Sequence, residues 1–407
     1  MAELLAPAGD LEKLRFAITY GADAVYLGGK AFSMRAKAGN FTLEEMIQGV
    51  EFAHQKNKKV YVTINIAARN QDISEIKPYV QELQRIGVDG IIAADPGVIL
   101  TIKETVPDMF LSLSTQASTT NAKSLQFWNQ VGVDRVILAR ELGIEDIKTI
   151  CEQKPDKMQV EMFVHGAMCI SYSGRCLLSN YFTGRDANKG DCAQPCRWQY
   201  SLVEQTRPGE YFPITEDERG TYIFNSKDLC LIHYLHELLR IGVDSFKIEG
   251  RMKSIFYVST VINAYRNVLN EYASNPDFYE FDSYWIEELK KVSHRQYTEG
   301  FYFQNADCHS QNYGTSSYTR NYDFIAQGVG YDKLRGLSQV RQRNKFYTGD
   351  TVEILSPDKK VTITQIKRIL DDKGMLMENA PHPDQVLYLD LGNVKLTAYD
   401  LIRKKIK

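Results

Sequence analysis

Residues 21–29 read GADAVYLGG, and the same grammar returns as GVDGIIAAD at 87–95, GVDRVILAR at 132–140 and GVDSFKIEG at 242–250. Each copy follows an amphipathic segment, sets a Gly where a helix ends and opens a short apolar strand. Glycine takes the left-handed conformation of a helix C-terminus without a Cβ penalty. The segments between have a helical period: Leu43, Met46, Ile47 and Val50 make one stripe behind a Thr42/Glu45 capping box. Further strand-like runs are AELLAP, KVYVTIN, MFLSLST and VEMFVHG, so that eight strands end near Ala6, Gly28, Asn65, Asp95, Gln116, Arg140, His165 and Glu249. Eight short apolar strands alternating with helices predict an α/β fold, a (β/α)8 TIM-like barrel. Pattern alone does not close a sheet, and an open doubly wound sheet is the competing architecture.

The stretch after the seventh strand is too long for an ordinary connection. Residues 166–220 form a cysteine-rich insertion, whose turn-rich EQTRPGEY and TEDERG segments predict a β-hairpin. TYIFNSKDLC leads into a helix, LIHYLHELLRIG, and residues 252–310 read as helices, with Tyr257, Val261, Ala264, Tyr265 and Val268 on a helical spacing. The expected organisation is a barrel domain over 1–310, a linker over 311–324 and a C-terminal β-barrel extension over 325–407. Alternating runs such as DTVEILS, VTITQIK and QVLYLDL mark that small all-β domain. Its end, RKKIK, suits a phosphate contact or plain solvation.

Composition narrows the class. At 407 residues there is room for one large domain and one small one. A net charge of −2 excludes global basicity, so nucleic acid would have to be met by a local patch. The N-terminus, MAELLAPAGDLEKLR, is acidic early and lacks a long apolar stretch, so no signal peptide is expected. No run approaches the roughly 20 apolar residues of a spanning helix. With an odd count of seven cysteines, these features point to a reducing, cytoplasmic location and no membrane partner.

Four of the cysteines carry the chemistry. Cys169, Cys176, Cys192 and Cys196 are spaced C-x6-C-x15-C-x3-C, while Cys151, Cys230 and Cys308 are scattered. Buried free thiols pack as small hydrophobes. This segment, however, is rich in Gly, Asn, Asp, Ser and Arg and offers little core, so a zinc ion or an iron–sulfur cluster is the better account. The loop also carries Arg175, Arg185, Lys189 and Arg197, interleaved with Tyr172, Tyr181, Phe182, Trp198 and Tyr200. Such a mixture suits an RNA strand, or aromatics that keep a metal centre dry.

In a barrel the active site lies at the C-terminal ends of the strands. Asn65, Asp95, Gln116, Arg140, Glu141, His165, Lys247, Glu249 and Arg251 are expected there. Ion pairs of Arg140 or Arg251 with Glu249 would explain those charges structurally. Taken together they suit a pocket for an anionic small molecule, because Arg grips carboxylates bidentately. There is no HExxH, no GxSxG elbow and no Walker loop, and His233 and His236 sit in an apolar helix.

EMFVHGAMCISYSGRCLLS resembles the signature of the family catalogued as peptidase U32, with Glu161, Phe163, Gly166, Cys169, Gly174, Cys176 and Ser179 in place. LLAPAGD, MRAKAGNFT, STQAS, FNSKDLC and FKIEGRMKS extend the likeness over roughly residues 1–310, and the tail resembles the family's C-terminal extension. The resemblance implies a barrel whose cysteines hold an iron–sulfur cluster of the 4Fe–4S type, Cys230 being an alternative to Cys196 as fourth ligand. It also implies oxygen-independent hydroxylation. One branch converts the wobble uridine of tRNA to 5-hydroxyuridine with prephenate, a dicarboxylate, as co-substrate. Other branches act on an rRNA cytidine or on ubiquinone precursors, and the family label keeps a collagenase-like peptidase as the alternative. The length and single β tail resemble the tRNA branch. On that reading Asn65, Arg140 and Arg251 bind the co-substrate, and Gln116, Glu161, His165, Lys247 and Glu249 are the catalytic candidates.

Overall fold

The computed structural model describes residues 1–30, 32, 40–168, 176–185, 187, 192–195, 215–217, 220–222, 227–303, 319–357 and 359–406; for 215–217 and 220–222 it describes the backbone alone. Eight parallel strands form the barrel: Glu3–Pro7, Ala24–Leu27, Lys59–Ile64, Gly90–Ala93, Leu111–Leu113, Arg135–Ile137, Gln159–Ala167 and Ser245–Ile248. Each pairs with the next, and Ser245 on the eighth strand lies opposite both Glu3 on the first and Glu161 on the seventh. The ring is closed, so the open sheet is ruled out.

The repeated GxD grammar has a physical cause. Gly21, Gly87, Gly132 and Gly242 all adopt positive φ, between 80° and 106°, one residue beyond a helix C-cap. The Asp two residues later reaches sideways to the preceding strand and accepts a backbone N–H there. Asp23 takes Leu4 N (3.0 Å), Asp89 takes Val60 N (2.7 Å), Asp134 takes Leu111 N (2.8 Å) and Asp244 takes Val160 N (2.8 Å). A basic side chain attends each carboxylate: Lys58, His54, Lys103 and Lys154 respectively. The barrel is therefore built as four repeats of two strands, each with one Asp tying the start of one strand to its neighbour.

The insertion leaves from the end of the seventh strand. It contains a short helix, Leu178–Thr183, and the expected hairpin, in which Asp217 lies opposite Gly220. The strand Asp228–Cys230 then runs antiparallel onto Ala167–His165, with Tyr297–Thr298 beyond it. Of residues 252–303, Ile255–Ser274 and Tyr284–Leu289 are the α-helices, so the helical reading of that region was too broad.

The tail is an antiparallel sheet of eight strands, from Tyr322–Asp332 to Leu401–Lys405, wrapped about Ile325, Val340, Val352, Ile369, Leu387 and Ile402. It differs from expectation in two ways. Its edges, Thr362–Gln365 and Leu376–Met377, do not pair with each other, so it is a half-barrel rather than a closed one. Its first strand also begins at Tyr322, inside the expected linker, because Tyr322 already pairs with Lys405; residues 311–318 lie outside the described residues.

Tail and barrel are joined by buried polar contacts. Arg403, with no exposed surface, meets Glu288 of the barrel (2.5 Å) and Glu353 of the tail (2.7 Å), and Lys291 bridges to Glu353 (3.0 Å). The Tyr20 hydroxyl lies 2.9 and 2.7 Å from the carbonyl oxygens of Leu355 and Tyr399. Among the described residues no helix is long and apolar enough to cross a membrane.

Candidate active site

Four strands that read as apolar, the first, sixth, seventh and eighth, each carry one charge into the barrel interior, and the charges meet. Arg135 donates to Glu161 Oε2 (3.0 Å) and Glu3 Oε1 (2.6 Å), while Lys247 Nζ donates to Glu161 Oε1 (2.9 Å). Gln159 accepts from Arg135 at 2.8 and 2.6 Å, and Tyr61 donates to Glu3 at 2.9 Å. Burial opposes ionisation of Glu161, but Lys247 and Arg135 outweigh it and hold the carboxyl below its usual range. Burial likewise works against the Arg135 cation, and Glu161 and Glu3 reverse that effect. The floor is thus a charge-balanced network of two cations and two carboxylates. Arg135 and Glu3 escaped the sequence reading; the signal was a lone Arg at the head of an apolar strand, opposite in sign to Glu161.

Above the floor, Lys247 Nζ lies over the Tyr26 ring (4.4 Å) and the Phe163 ring (5.6 Å), and the Arg140 guanidinium covers Phe163 from the rim (5.3 Å). Arg140 also donates to Ala167 O (2.8 Å), tying the sixth strand's loop to the seventh. Tyr26 OH lies 3.3 Å from Glu249 Oε2, and Gln116 Nε2 donates to Asn65 O (2.9 Å) while its Oε1 accepts from Ser114 (3.1 Å). Arg251 is buried and donates to Asn40 Oδ1 (2.5 Å). A Cβ on Gly9, in the LLAPAGD segment, would sit 2.1 Å from Arg251 O, so that loop needs glycine to lie against the eighth strand's loop. Asn65, Gln116, Arg140, Glu249 and Arg251 thus ring the mouth, while Glu161 and Lys247 lie beneath it. Asp95 instead caps the helix Pro96–Thr105, accepting from Gly97 N and Val98 N.

His165 departs from the expected rim. The strand continues to Ala167, and its register slips so that Ile248 opposes His165 after Lys247 has opposed Phe163. That slip turns His165 outward, against Tyr257 and Tyr265 of the helix Ile255–Ser274. Tyr265 OH lies 2.8 Å from Val164 O and 3.3 Å from His165 Nδ1. With the hydroxyl proton given to the carbonyl, Nδ1–H donates to the phenol oxygen, and Nε2 is a buried acceptor with no partner among the described residues. Burial, reinforced by His294 and Lys253, drives this imidazole down to about 3. Cys230 packs nearby, 4.0 Å from Tyr265 OH, its thiol pushed up to about 11 by burial. A neutral imidazole beside a protonated thiol is the reverse of a cysteine protease's ion pair.

Of the clustered cysteines, Cys176 is partly exposed and Cys192 exposed, while Cys169 and Cys196 lie outside the described residues, as do Cys308, Arg175, Lys189, Arg197, Tyr172, Trp198 and Tyr200. Ser179 Oγ accepts from Ala193 N (2.9 Å), joining the Cys176 and Cys192 segments. Gln194 N donates to Cys192 Sγ (3.3 Å). These accessible thiols fit a thiolate-held cluster. Among the described residues no three His, Cys, Asp or Glu side chains converge as a metal site. Beside Cys176, Tyr181 and Phe182 are exposed, with ring centroids 5.1 Å apart.

A closed α/β barrel with a charged floor and a polar mouth at its C-terminal end is the architecture of a barrel enzyme. The sequence places it further. The chain belongs to peptidase family U32: that family's model matches residues 9–312, and the model of the U32 C-terminal domain matches residues 320–403. It is 41% identical over 402 residues to tRNA hydroxylation protein P1 of Bacillus subtilis, covering 99% of this chain and 94% of that protein. It is 37% identical over 430 residues to tRNA hydroxylation protein P of Escherichia coli, covering 95% and 93%. A collagenase of Porphyromonas gingivalis is 32% identical over 379 residues, covering 90% and 89%.

Proposed function

We propose that this protein is a cytoplasmic RNA-modifying enzyme that hydroxylates the wobble uridine of tRNA at C5 without oxygen, using prephenate as co-substrate. The observation that carries this reading is similarity over nearly the whole chain, tail included, to two tRNA hydroxylation proteins. Arg140 and Arg251 hold the carboxylates of the co-substrate at the mouth, with Asn65 beside them. The Glu161–Lys247 pair keeps the floor charged and dry. Cys169, Cys176 and Cys192, with Cys196 or Cys230, hold a 4Fe–4S cluster, which when bound supplies electron-transfer chemistry. The target uridine leaves its stack to reach the mouth, as a base must when chemistry is done on it.

Mass spectrometry of tRNA nucleosides from a deletion strain tests the reading. 5-Hydroxyuridine and its derivatives should vanish, return with the wild-type gene and stay absent with Cys176→Ala. Their persistence, with no second enzyme to account for them, would sink the proposal. Gelatin cleavage by metal-free protein would favour the peptidase instead.

A further inference from the structure

Charge is unevenly divided along this chain. Residues 320–407 hold 16 Lys and Arg against 11 Asp and Glu, a net of +5 in a protein whose total is −2. The outer face of the tail sheet has two parts. Near Phe324, Glu353 and Arg403 it lies on the barrel, with Phe324 stacked on Phe256 at 5.6 Å. The same face continues past that contact, where cross-strand partners point the same way: Gln327 opposite Arg341, Gln339 opposite Tyr388 and Arg368 opposite Asp390.

At the junction of the two parts, beside the first turn of the helix Leu11–Thr19, opens a cleft of about 530 Å³ lined by Glu12, Gln327, Val329, Arg341, Arg343 and Asp384. Arg343 is braced there by Glu12 (3.2 Å), Asp384 (3.2 Å) and Gln327 (2.8 Å). Arg341 is exposed and forms no ion pair among the described residues. Further along, the Arg335 guanidinium lies 4.2 Å from the Tyr388 ring centre, anchored by Asp332 (3.6 Å) and Asp372 O (3.3 Å), while Gln339 holds the Tyr388 hydroxyl (3.3 Å).

We propose that this part of the tail is an RNA-binding face: Arg341, set beside the braced Arg343, takes backbone phosphate, and the flat Arg335–Tyr388 pair stacks an unpaired base. An uncommitted guanidinium beside a pre-positioned one suits phosphate, and an Arg plane on an aromatic ring suits base stacking. The net charge of the tail complements a polyanion, whereas that of the rest of the chain does not. The proposal rests on the RNA reading above and places a second contact on the substrate away from the barrel mouth.

The test is binding of an unmodified tRNA transcript to the full-length protein across a salt series. Arg341→Glu should weaken binding about tenfold or more, and Arg341→Ala should lower the slope of log affinity against log salt by about one. Tyr388→Ala should cost about fivefold or more with the slope unchanged, because stacking releases no counterions. Lys359→Glu, an equal charge change on the hairpin at the other edge of the sheet, should change affinity by less than about twofold. Equal losses in Arg341→Glu and Lys359→Glu, or no loss in either Arg341 variant, would overturn the placement while leaving the RNA reading intact. Loss of hydroxylation with unchanged tRNA affinity would assign the face to a protein partner and overturn the proposal. A wild-type protein that does not bind the transcript would remove the RNA reading itself.

Discussion

Lys247 Nζ and Glu161 Oε1 meet at 2.9 Å between the eighth and seventh strands, with 4% and 0% of their side chains exposed. Arg135 holds the other oxygen of the same carboxylate. A carboxylate so placed is ionised only because its cations are there. Removing one partner of a buried pair leaves a charge without compensation and costs about 3–5 kcal/mol. Lys247→Met should therefore lower the free energy of unfolding by about 3 kcal/mol, Arg135 sparing the rest. Guanidinium titration measures it, and a loss below about 1 kcal/mol would mean that the pair is solvated.

The same carboxylate sets an acid limb. Its folded-state pKa lies below its unfolded value near 4.3. The stability it contributes is then present above about pH 4.3 and lost as pH falls through the folded value. Glu161→Gln should be less stable than wild type at neutral pH and lose less on acidification below that point. Parallel acid limbs in the two proteins would contradict this.

The cysteine insertion predicts a cofactor. Protein purified without air should be brown, with iron and sulfide near about four each per chain. Cys169→Ala and Cys176→Ala should lose the iron, and Cys151→Ala, a buried residue of the helix Ile144–Gln153, should keep it. Comparing Cys196→Ala with Cys230→Ala identifies the fourth ligand. A colourless protein with one zinc per chain would replace the cluster with a structural metal.

The barrel was legible because its glycines are forced: a helix that must turn at once into a strand needs a left-handed residue, and Gly21, Gly87, Gly132 and Gly242 supply it. The Asp that follows was visible but not its task, since it bonds to a strand that is distant in sequence, as Asp23 does to Leu4. At the mouth, residues on loops after strands could be placed by strand counting alone, which put Gln116, Arg140 and Arg251 there. His165 could not, because a one-residue slip against the eighth strand reverses the side to which it points and leaves no mark in the local pattern. Arg135 was hidden for the opposite reason: its partners Glu3 and Glu161 lie in other strands, and only closure of the barrel brings them together.

Arg403 links the two parts of the chain. It is fully buried between Glu288 and Glu353. Arg403→Met should leave the two carboxylates with Lys291 as their remaining cation among the described residues and loosen the tail from the barrel by about 3 kcal/mol or more. Calorimetry should then resolve a separate transition for the tail, and amide exchange should quicken across Leu401–Lys405. A single unshifted transition would show that packing such as Phe256 on Phe324 holds the domains without the ion network.

Arg140 and Arg251 enter the mouth from different loops, Arg140 donating to Ala167 O and Arg251 to Asn40 Oδ1. A guanidinium carries five donors in a fixed fork whose geometry matches a carboxylate. Two forks suit the two carboxylates of prephenate. Each charge-assisted contact contributes about 1.5–3 kcal/mol, so Arg140→Ala and Arg251→Ala should each weaken prephenate binding about tenfold or more in calorimetric titration. Lysine at either position keeps the charge and loses the fork, and should recover only part of the affinity. Full recovery by lysine would reduce the role of these residues to bulk charge. Unchanged affinity in both alanine variants would move the co-substrate site away from the sixth and eighth strands.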